Sequence, residues 1–492
     1  MTRLAVAAPN RAAADAATEV ARAGGSAVDA AIAAALVAMV NEVGLVSLSS
    51  GGFVAVQPAE GAAYTVDGWM DRPGLGRRAD APAPSTWDVD TEYGGGVTIT
   101  IGPGSVATHG SLAAFGEAHA RDGRLPWREL VAPAVDVARD GFALGSASQY
   151  YLRYVHESVF GWDDGSRAAL HDAAGRLTEE RVVVPDLAAT LEHIGAVGPR
   201  ALHEGDLAEL VARDVQDRGG LLGAADLAAY EPVVRPPLTT RVGAWSLGTT
   251  PPPSVGGVVV ASMLRLLDDR PRGAWTPDDV EHLVRVQRAV LGHRRDVLEV
   301  ADDLDASSRA WLERVDADHR AVLESGSTAH VSVTDADGAA CSITVSSGYG
   351  AGMIAAGTGI WLNNCLGEQE LNPPGRRVPA GGRLLSNMAP TVGRHDDGST
   401  LAIGSPGADR ITTALVCTLA GFVSGGLGLA DAVAHPRVHV HRAGLADEDV
   451  RVEHEPSMYF GGVGAALTTA GGVLEAVADP RREGVAEVVG TR

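Results

Sequence analysis

Lysine is missing. All 40 basic residues of the chain are arginine. There is no Schiff-base lysine, no Ser-Lys dyad and no phosphate-loop lysine, so composition excludes pyridoxal enzymes and Walker-type ATPases. Cysteine is scarce. Cys341, Cys365 and Cys417 are odd in number and form no CxxC pair, which argues against a disulfide framework or a zinc knuckle. Positive charge is outnumbered. The formal net charge is -22 and no run of arginines exceeds two, so neither nucleic acid nor an anionic membrane is an expected partner. Long apolar runs are absent too. The most apolar stretch, Ala30 to Val40, is too short to span a bilayer. The opening "MTRLAVAAPNRAAADAA" is broken by Pro9, Asn10 and Arg11 and lacks a secretory core, which makes the cytoplasm the expected location.

What is present is enough for a large core: 492 residues, 45% of them apolar. Length alone suggests about three domains at ~150 residues each, or one large layered α/β unit. Residues 11 to 43 read as two Ala-rich helices split by Gly24-Gly25, the second opened by Ser26 and Asp29 in capping spacing. Residues 108 to 141 and 186 to 232 carry helical apolar spacing. "GTTPPPSVGG" is a Pro turn running into a helix near Val258 to Leu267. The segment 278 to 324 is helical, and its Arg and Asp read as solvated faces. "LAIGSPGADRITTALVCTLAGF" reads as strand, turn, helix. In "HPRVHVHR", His439 and His441 share one strand face. A metal pair is one reading and a wet strand face the other. No carboxylate lies within the stretch, and Pro436 counts against His435 as a third ligand.

From Thr328 to Thr344 the period becomes two, which means strands. A three-residue loop, Ala336-Asp337-Gly338, pairs Val331 with Ile343, Val333 with Cys341 and Ser332 with Ser342, so both faces match. The same register sets Thr328 opposite Ser346. One face then gathers Thr328, His330 and Ser332 against Ser346, Thr344 and Ser342, and the other is apolar. On the hairpin alone, the bland reading is a half-buried sheet whose polar face meets water.

These residues also resemble a family. "STAHVSVTDADG", "GTGIWLNN", "RLLSNMAPT" and "GSPGADRITT" follow "GGSAVDAAIAAALVAMVNEVG", "SSGGFVAV", "GPGSVATHGSLAAF", "ARDGFAL", "DLAAYEPVVRPPL" and "PPPSVGG" in the order found in γ-glutamyltranspeptidase, of the N-terminal-nucleophile hydrolase superfamily. The resemblance implies an α+β fold, a four-layer αββα sandwich. It implies self-cleavage between Ser327 and Thr328, giving a large fragment 1–327 and a small fragment 328–492 that stay associated as one folded unit. It implies a small-molecule substrate, no cofactor and no metal, and leaves a homo-oligomer open. Thr328 is the implied nucleophile, and Ser346 stands where the family keeps a second Thr. Gly407 and Ala408 stand where it has a Gly pair whose N–H groups form an oxyanion hole.

The substrate clamp departs from the family. Where an Arg is expected for the α-carboxylate, "TVDGWMDRP" has Gly68 or Trp69, with Arg72 near but out of register. In "LNNCLGEQE", Cys365 replaces an amide or acid, while Glu368 retains the means to pair with an amine. Gly348 replaces an Asn, and the paired serines become Ser386-Asn387. Trp69 and Trp361 are either core or stacking surface. Cys365 is either an inert or a reactive thiol. The expected activity is therefore that of an autoprocessed Thr hydrolase or acyltransferase on a non-glutamyl substrate. The bond would be an amide, or a carbon–carbon bond in a specialised pathway such as antibiotic biosynthesis. The alternatives are γ-glutamyl transfer or glutathione hydrolysis with a rearranged clamp, and a catalytically silent scaffold.

Overall fold

The computed structural model describes residues 1–490 apart from 79, 94–95, 179, 268–274, 318–327, 369–371, 374–375, 408 and 442–444. The opening helices form where their caps place them. Arg11–Arg22 starts on Asn10, whose side-chain oxygen accepts from the Ala13 N–H at 3.0 Å. Ala27–Asn41 starts in a complete capping box: Ser26 Oγ accepts from the Asp29 N–H at 3.1 Å, and the Asp29 carboxylate accepts from the Ser26 N–H at 2.9 Å. All 15 residues of this second helix are buried, as suits a helix that is apolar around most of its circumference.

Two antiparallel sheets form the middle of the molecule. The first runs, in spatial order, Val485–Val489, Leu4–Ala8, Ala329–Asp335, Ala340–Ser346, Gly51–Gln57, Tyr64–Gly68 and Val233–Arg235. The second runs Leu474–Ala478, Gly464–Thr468, Thr400–Gly404, Thr391–His395, Trp245–Thr249 and Leu238–Val242. The helix Ala27–Asn41 packs on the outer face of the first sheet. The helices Val255–Leu266 and Arg410–Leu419 pack on the outer face of the second, and the two inner faces meet. The result is the four-layer αββα sandwich of the N-terminal-nucleophile hydrolases.

The hairpin register is the one that matches both faces. Val331 pairs with Ile343, Val333 with Cys341 and Ser332 with Ser342, and Gly338 takes the left-handed position at φ 90°. Its apolar face joins the core under the Ala-rich helices. Its polar face does not meet water: Thr328, His330, Ser332, Ser342, Thr344 and Ser346 are all buried. The second sheet covers them. Ser332 Oγ donates to the Gly464 carbonyl at 3.1 Å and Ser342 Oγ to the Ile403 carbonyl at 3.0 Å, so the hydroxyls satisfy backbone groups across the layer. The water-facing reading of the hairpin is thus overturned.

The strands interleave across residue 327. The hairpin lies between Leu4–Ala8 and Gly51–Gln57 in one sheet, and Thr391–His395 pairs with Trp245–Thr249 in the other. Fragments 1–327 and 328–492 share both sheets, and backbone ladders would hold them together after a cut. Ser327 itself, with Gly326, lies outside the described residues. The charged helical segment needs one correction. Arg294 is fully buried, its guanidinium 2.6 Å from Glu299 and 2.7 Å from Asn387 Oδ1, because its helix Pro277–His293 runs on inward into the turn 294–298. Among the described residues no helix is long and apolar enough to cross a membrane.

Candidate active site

Thr328 stands one residue before the strand Ala329–Asp335. The last printed pair of the hairpin is Ala329 with Val345, so the next step along the ladder brings Thr328 to Ser346. Thr328 is 2% exposed, and among the described residues its Oγ1 has no hydrogen-bond partner. A buried hydroxyl without a partner is costly, and such groups concentrate where something else is to be bound. Ser346 Oγ accepts from the Gly348 N–H at 3.0 Å, which orients the hydroxyl beside the threonine.

His330 lies below this pair. One ring nitrogen is 2.9 Å from Thr344 Oγ1 and the other 2.7 Å from Ser332 Oγ. Room for the ring comes from Gly404, where a Cβ would fall 2.2 Å from His330 Cε1. Burial pulls the His330 pKa down to about 3, that of His109 to about 4 and that of His203, with His109 adding to the effect, to about 3. These imidazoles are neutral in the fold and bind a proton near the ordinary 6.5 once the chain unfolds. Their contribution to stability is complete above about pH 6.5 and is lost as the pH falls toward 4 and 3, at about 1.4 kcal/mol per pH unit for each group. The melting temperature should therefore fall steadily below pH 6, and His330→Gln should make that slope shallower by about one proton. An unchanged slope in the variant would contradict a neutral, proton-excluding His330.

The turn after Thr400–Gly404 carries Gly407 at φ 126°, open to glycine alone, and a Cβ there would lie 2.7 Å from Gly461 Cα. Ala408 lies outside the described residues. Asp409 follows at the cap of Arg410–Leu419 and is held from several sides. Arg410 bonds one carboxylate oxygen, while His439 Nε2 at 3.0 Å and His441 Nδ1 at 3.3 Å share the other. Burial works to raise the Asp409 carboxyl, but the Arg410 guanidinium and His439 outweigh it and hold it well below the usual carboxylate range. The carboxylate absent from "HPRVHVHR" thus comes from 30 residues upstream of His439. Asp409, His439 and His441 form the one group among the described residues with metal-ligand composition and spacing. Their atoms already satisfy one another and fasten the turn that carries Gly407.

The other residues singled out from the sequence sit around the end of Ala340–Ser346. Gly348 has φ 67°, and a side chain there would meet Asn364 Oδ1 at 2.4 Å and Glu368 Oε1 at 2.7 Å. Glu368 is buried beside the Cys365 thiol. Burial, reinforced by Glu368, pushes that thiol well above its usual range, which disfavours the reactive thiolate. The Ser386 carbonyl accepts from the Val255 N–H at 2.9 Å, and Asn387 Oδ1 accepts from Arg294. Trp69 is 1% exposed. Its indole N–H donates to the Leu385 carbonyl at 2.6 Å, and its ring stacks on Phe53 with centroids 6.3 Å apart. Trp361 is likewise buried, bonded to Ser166 Oγ at 3.1 Å. Both tryptophans are core. Arg72 stays apart: its backbone is tied to Gly381 and Gly382 and its side chain is exposed.

A cleft of about 600 Å³, its mouth included, opens at Thr328. Besides Glu42, its wall comes from elements that the motifs did not mark: the end of Leu4–Ala8, Asn10, Gly462 to Gly464, Asp479 and Arg482 to Gly484. Sequence reading missed these because they touch Thr328 only through the sheet order.

A family model described as Gamma-glutamyltranspeptidase matches residues 13–489. The chain belongs to that family. It is an enzyme of the N-terminal-nucleophile type, a hydrolase or acyltransferase. It is 29% identical over 473 residues to the Escherichia coli "Glutathione hydrolase proenzyme", covering 87% of this chain and 79% of that one. It is also 29% identical over 446 residues to the "Acylase ACY 1 proenzyme" of Pseudomonas sp. strain V22, covering 85% and 78%. In fold it resembles the cephalosporin acylase of Bacillus halodurans, with a TM-score of 0.80 at 19% identity over 100% of this chain and 96% of that one.

Proposed function

We propose that this family member cuts its own backbone between Ser327 and Thr328 and then uses Thr328 as an N-terminal nucleophile on the amide of a non-glutamyl acyl donor. The observation that carries the reading is the buried Thr328 hydroxyl, without a partner among the described residues, in the wall of a cleft and at the ladder step opposite Ser346. In the precursor, Thr328 Oγ attacks the Ser327 carbonyl carbon. The C–N bond breaks, the Thr328 nitrogen takes up a proton, and water hydrolyses the resulting ester. The freed α-amine has an ordinary pKa of about 7.7–8.0, which suits a base at neutral pH. It accepts the Oγ proton as Oγ attacks the substrate carbonyl. The N–H groups of Gly407 and Ala408 stabilise the oxyanion, worth roughly 3–4 kcal/mol of barrier per donor. The leaving amine departs with the proton, and water or an acceptor amine takes the acyl group from the ester.

The buried Trp69 supports a non-glutamyl donor. Gly68 or Trp69 stands where the clamp arginine is expected, and Trp69 is buried and hydrogen-bonded where it stands, so a zwitterion placed there would leave its carboxylate unpaired. The acylase relatives are compatible with amide cleavage. Carbon–carbon cleavage in a cytoplasmic biosynthetic step is a variant of the same acyl chemistry. One observation favours γ-glutamyl chemistry instead: the buried Glu368 carboxylate beside Gly348, placed to meet an amine. Purified protein on denaturing electrophoresis should show two fragments. It should turn over simple acyl anilides at least about tenfold faster, in kcat/KM, than a chromogenic γ-glutamyl anilide. Preferred turnover of the γ-glutamyl compound would transfer the assignment to the second reading.

A further inference from the structure

Just beyond Gly407, Asp409 meets His439 and His441. The two imidazoles stand on one face of the strand Val438–His441, because alternate strand residues share a face. Both aim a ring nitrogen at the same carboxylate oxygen: His439 Nε2 lies 3.0 Å from Asp409 Oδ2, and His441 Nδ1 lies 3.3 Å from it. All three ligand atoms fall within 4.8 Å of one another. Donors held by one ion at about 2.0–2.1 Å in a tetrahedron are about 3.3 Å apart, so these spacings suit a shared cation. Opposite the imidazoles in the ladder stand Arg451 and Asp449, which pair with each other, and Arg410 holds the other Asp409 oxygen. The acids therefore have counterions already, and the pull on a further cation comes from the imidazole nitrogens. His441, with its side chain 35% exposed, offers the way in.

The outer contacts select the ring tautomer. Thr413 Oγ1 donates to the Arg410 carbonyl at 3.2 Å and so accepts from His439 Nδ1–H, 3.1 Å away. A neutral His439 then presents the lone pair of Nε2 to a carboxylate oxygen. Asp409 and His439 are both buried, where two facing lone pairs repel unless a cation lies between them. Without an ion, the three satisfy one another only if His439 carries a proton on each nitrogen. That second proton serves His439 alone, whereas a metal ion serves His441 as well. A hydrogen-bond partner on the far nitrogen of a ligating histidine is also the outer-shell arrangement that metal sites use. We propose that Asp409, His439 and His441 bind a divalent transition-metal ion of the zinc class, which pins the turn carrying Gly407 to the strand Val438–His441. The ion takes no part in acyl transfer, whatever the role of Thr328.

Calorimetric titration of the chelator-stripped full-length protein with Zn²⁺ tests this. Wild type should bind one equivalent with a dissociation constant of about 1 µM or tighter. Its melting temperature should rise in excess Zn²⁺. Mg²⁺ and Ca²⁺, which prefer all-oxygen sites, should bind at least about 100-fold more weakly. Co²⁺ should compete for the same place and show the intense visible absorption of a four-coordinate ion, which a loosely held octahedral ion lacks. His441→Ala removes a half-buried ligand, should melt like the metal-free wild type, and should weaken Zn²⁺ binding by at least about 100-fold, more than the loss of an outer-shell contact. As a control, His171→Ala breaks another close imidazole pair, His156 Nδ1 to His171 Nε2 at 2.9 Å, and should change nothing. Zn²⁺ binding that survives His441→Ala, or that is lost in His171→Ala instead, overturns the site. So does a wild type that binds no tighter than about 100 µM, which would leave a second proton on His439 as the cation.

Discussion

Thr328→Ala should leave the chain as one unbroken polypeptide, with acyl transfer reduced by at least about 10³-fold. The substitution removes the only atom proposed to attack, first at its own backbone and then at substrate. It also prevents release of the α-amine, so nucleophile and base vanish together. Stability should change little, within about 1 kcal/mol, because the Thr328 hydroxyl gives up no bond to a described residue. That contrast separates a chemical role from a structural one. Thr328→Ser keeps the hydroxyl and should still cut, more slowly, since it loses the methyl that limits its rotamers. Intact-mass analysis settles the matter. A Thr328→Ala chain that still splits ahead of residue 328, or an active wild type that is never split, would remove Thr328 from the mechanism.

Asp479→Ala should be the most destabilising single change near the cleft, at about 3–5 kcal/mol. Its carboxylate joins Arg437 at 2.5 Å, Arg481 at 3.1 Å and the Val463 N–H at 2.6 Å, all buried. Arg437 also donates to the Phe460 carbonyl at 2.9 Å, and Arg481 pairs with Glu453. Removing the acid leaves the buried Arg437 guanidinium without its anion and beside Arg481, which keeps Glu453. The penalty is that uncompensated charge, far more than the hydrogen bonds taken singly. The effect should reach the site, because Val463 lines the cleft and Gly461 lies against Gly407. Urea unfolding should show a lower midpoint with unchanged slope. Asp479→Asn, which keeps an acceptor for Val463, should lose less. Equal losses for Ala and Asn would mean that charge neutralisation, not the acceptor, carries the whole effect. A loss under 1 kcal/mol in either would refute the network's role.

Local physics was legible from the sequence because each signal closes within a few residues. The capping box at Ser26 and Asp29 and the loop Ala336-Asp337-Gly338 are of this kind. Alternation of apolar and hydroxyl residues set the hairpin register, since a slip of one would have turned every side chain over. What alternation could not tell was the fate of the polar face. It meets a second sheet, and His330 survives there as a neutral ring only because Gly404 and Gly464 stand opposite. The helical segment around Arg294 misled for the same reason: charge suggests water, but Glu299 and Asn387 make burial tolerable.

By itself, then, the residue order determined the composition of the chemistry. It excluded lysine mechanisms, placed a threonine at the head of a strand, ordered the motifs of the family and put no arginine in register with the expected clamp position. Only the tertiary structure decided what surrounds that threonine. Asn10, Glu42 and Arg482 lie hundreds of residues from Thr328 or on the far side of it, and they meet at one cleft because the first sheet sets Leu4–Ala8 between Val485–Val489 and Ala329–Asp335. Adjacency across a ladder depends on strand order, which no local pattern encodes.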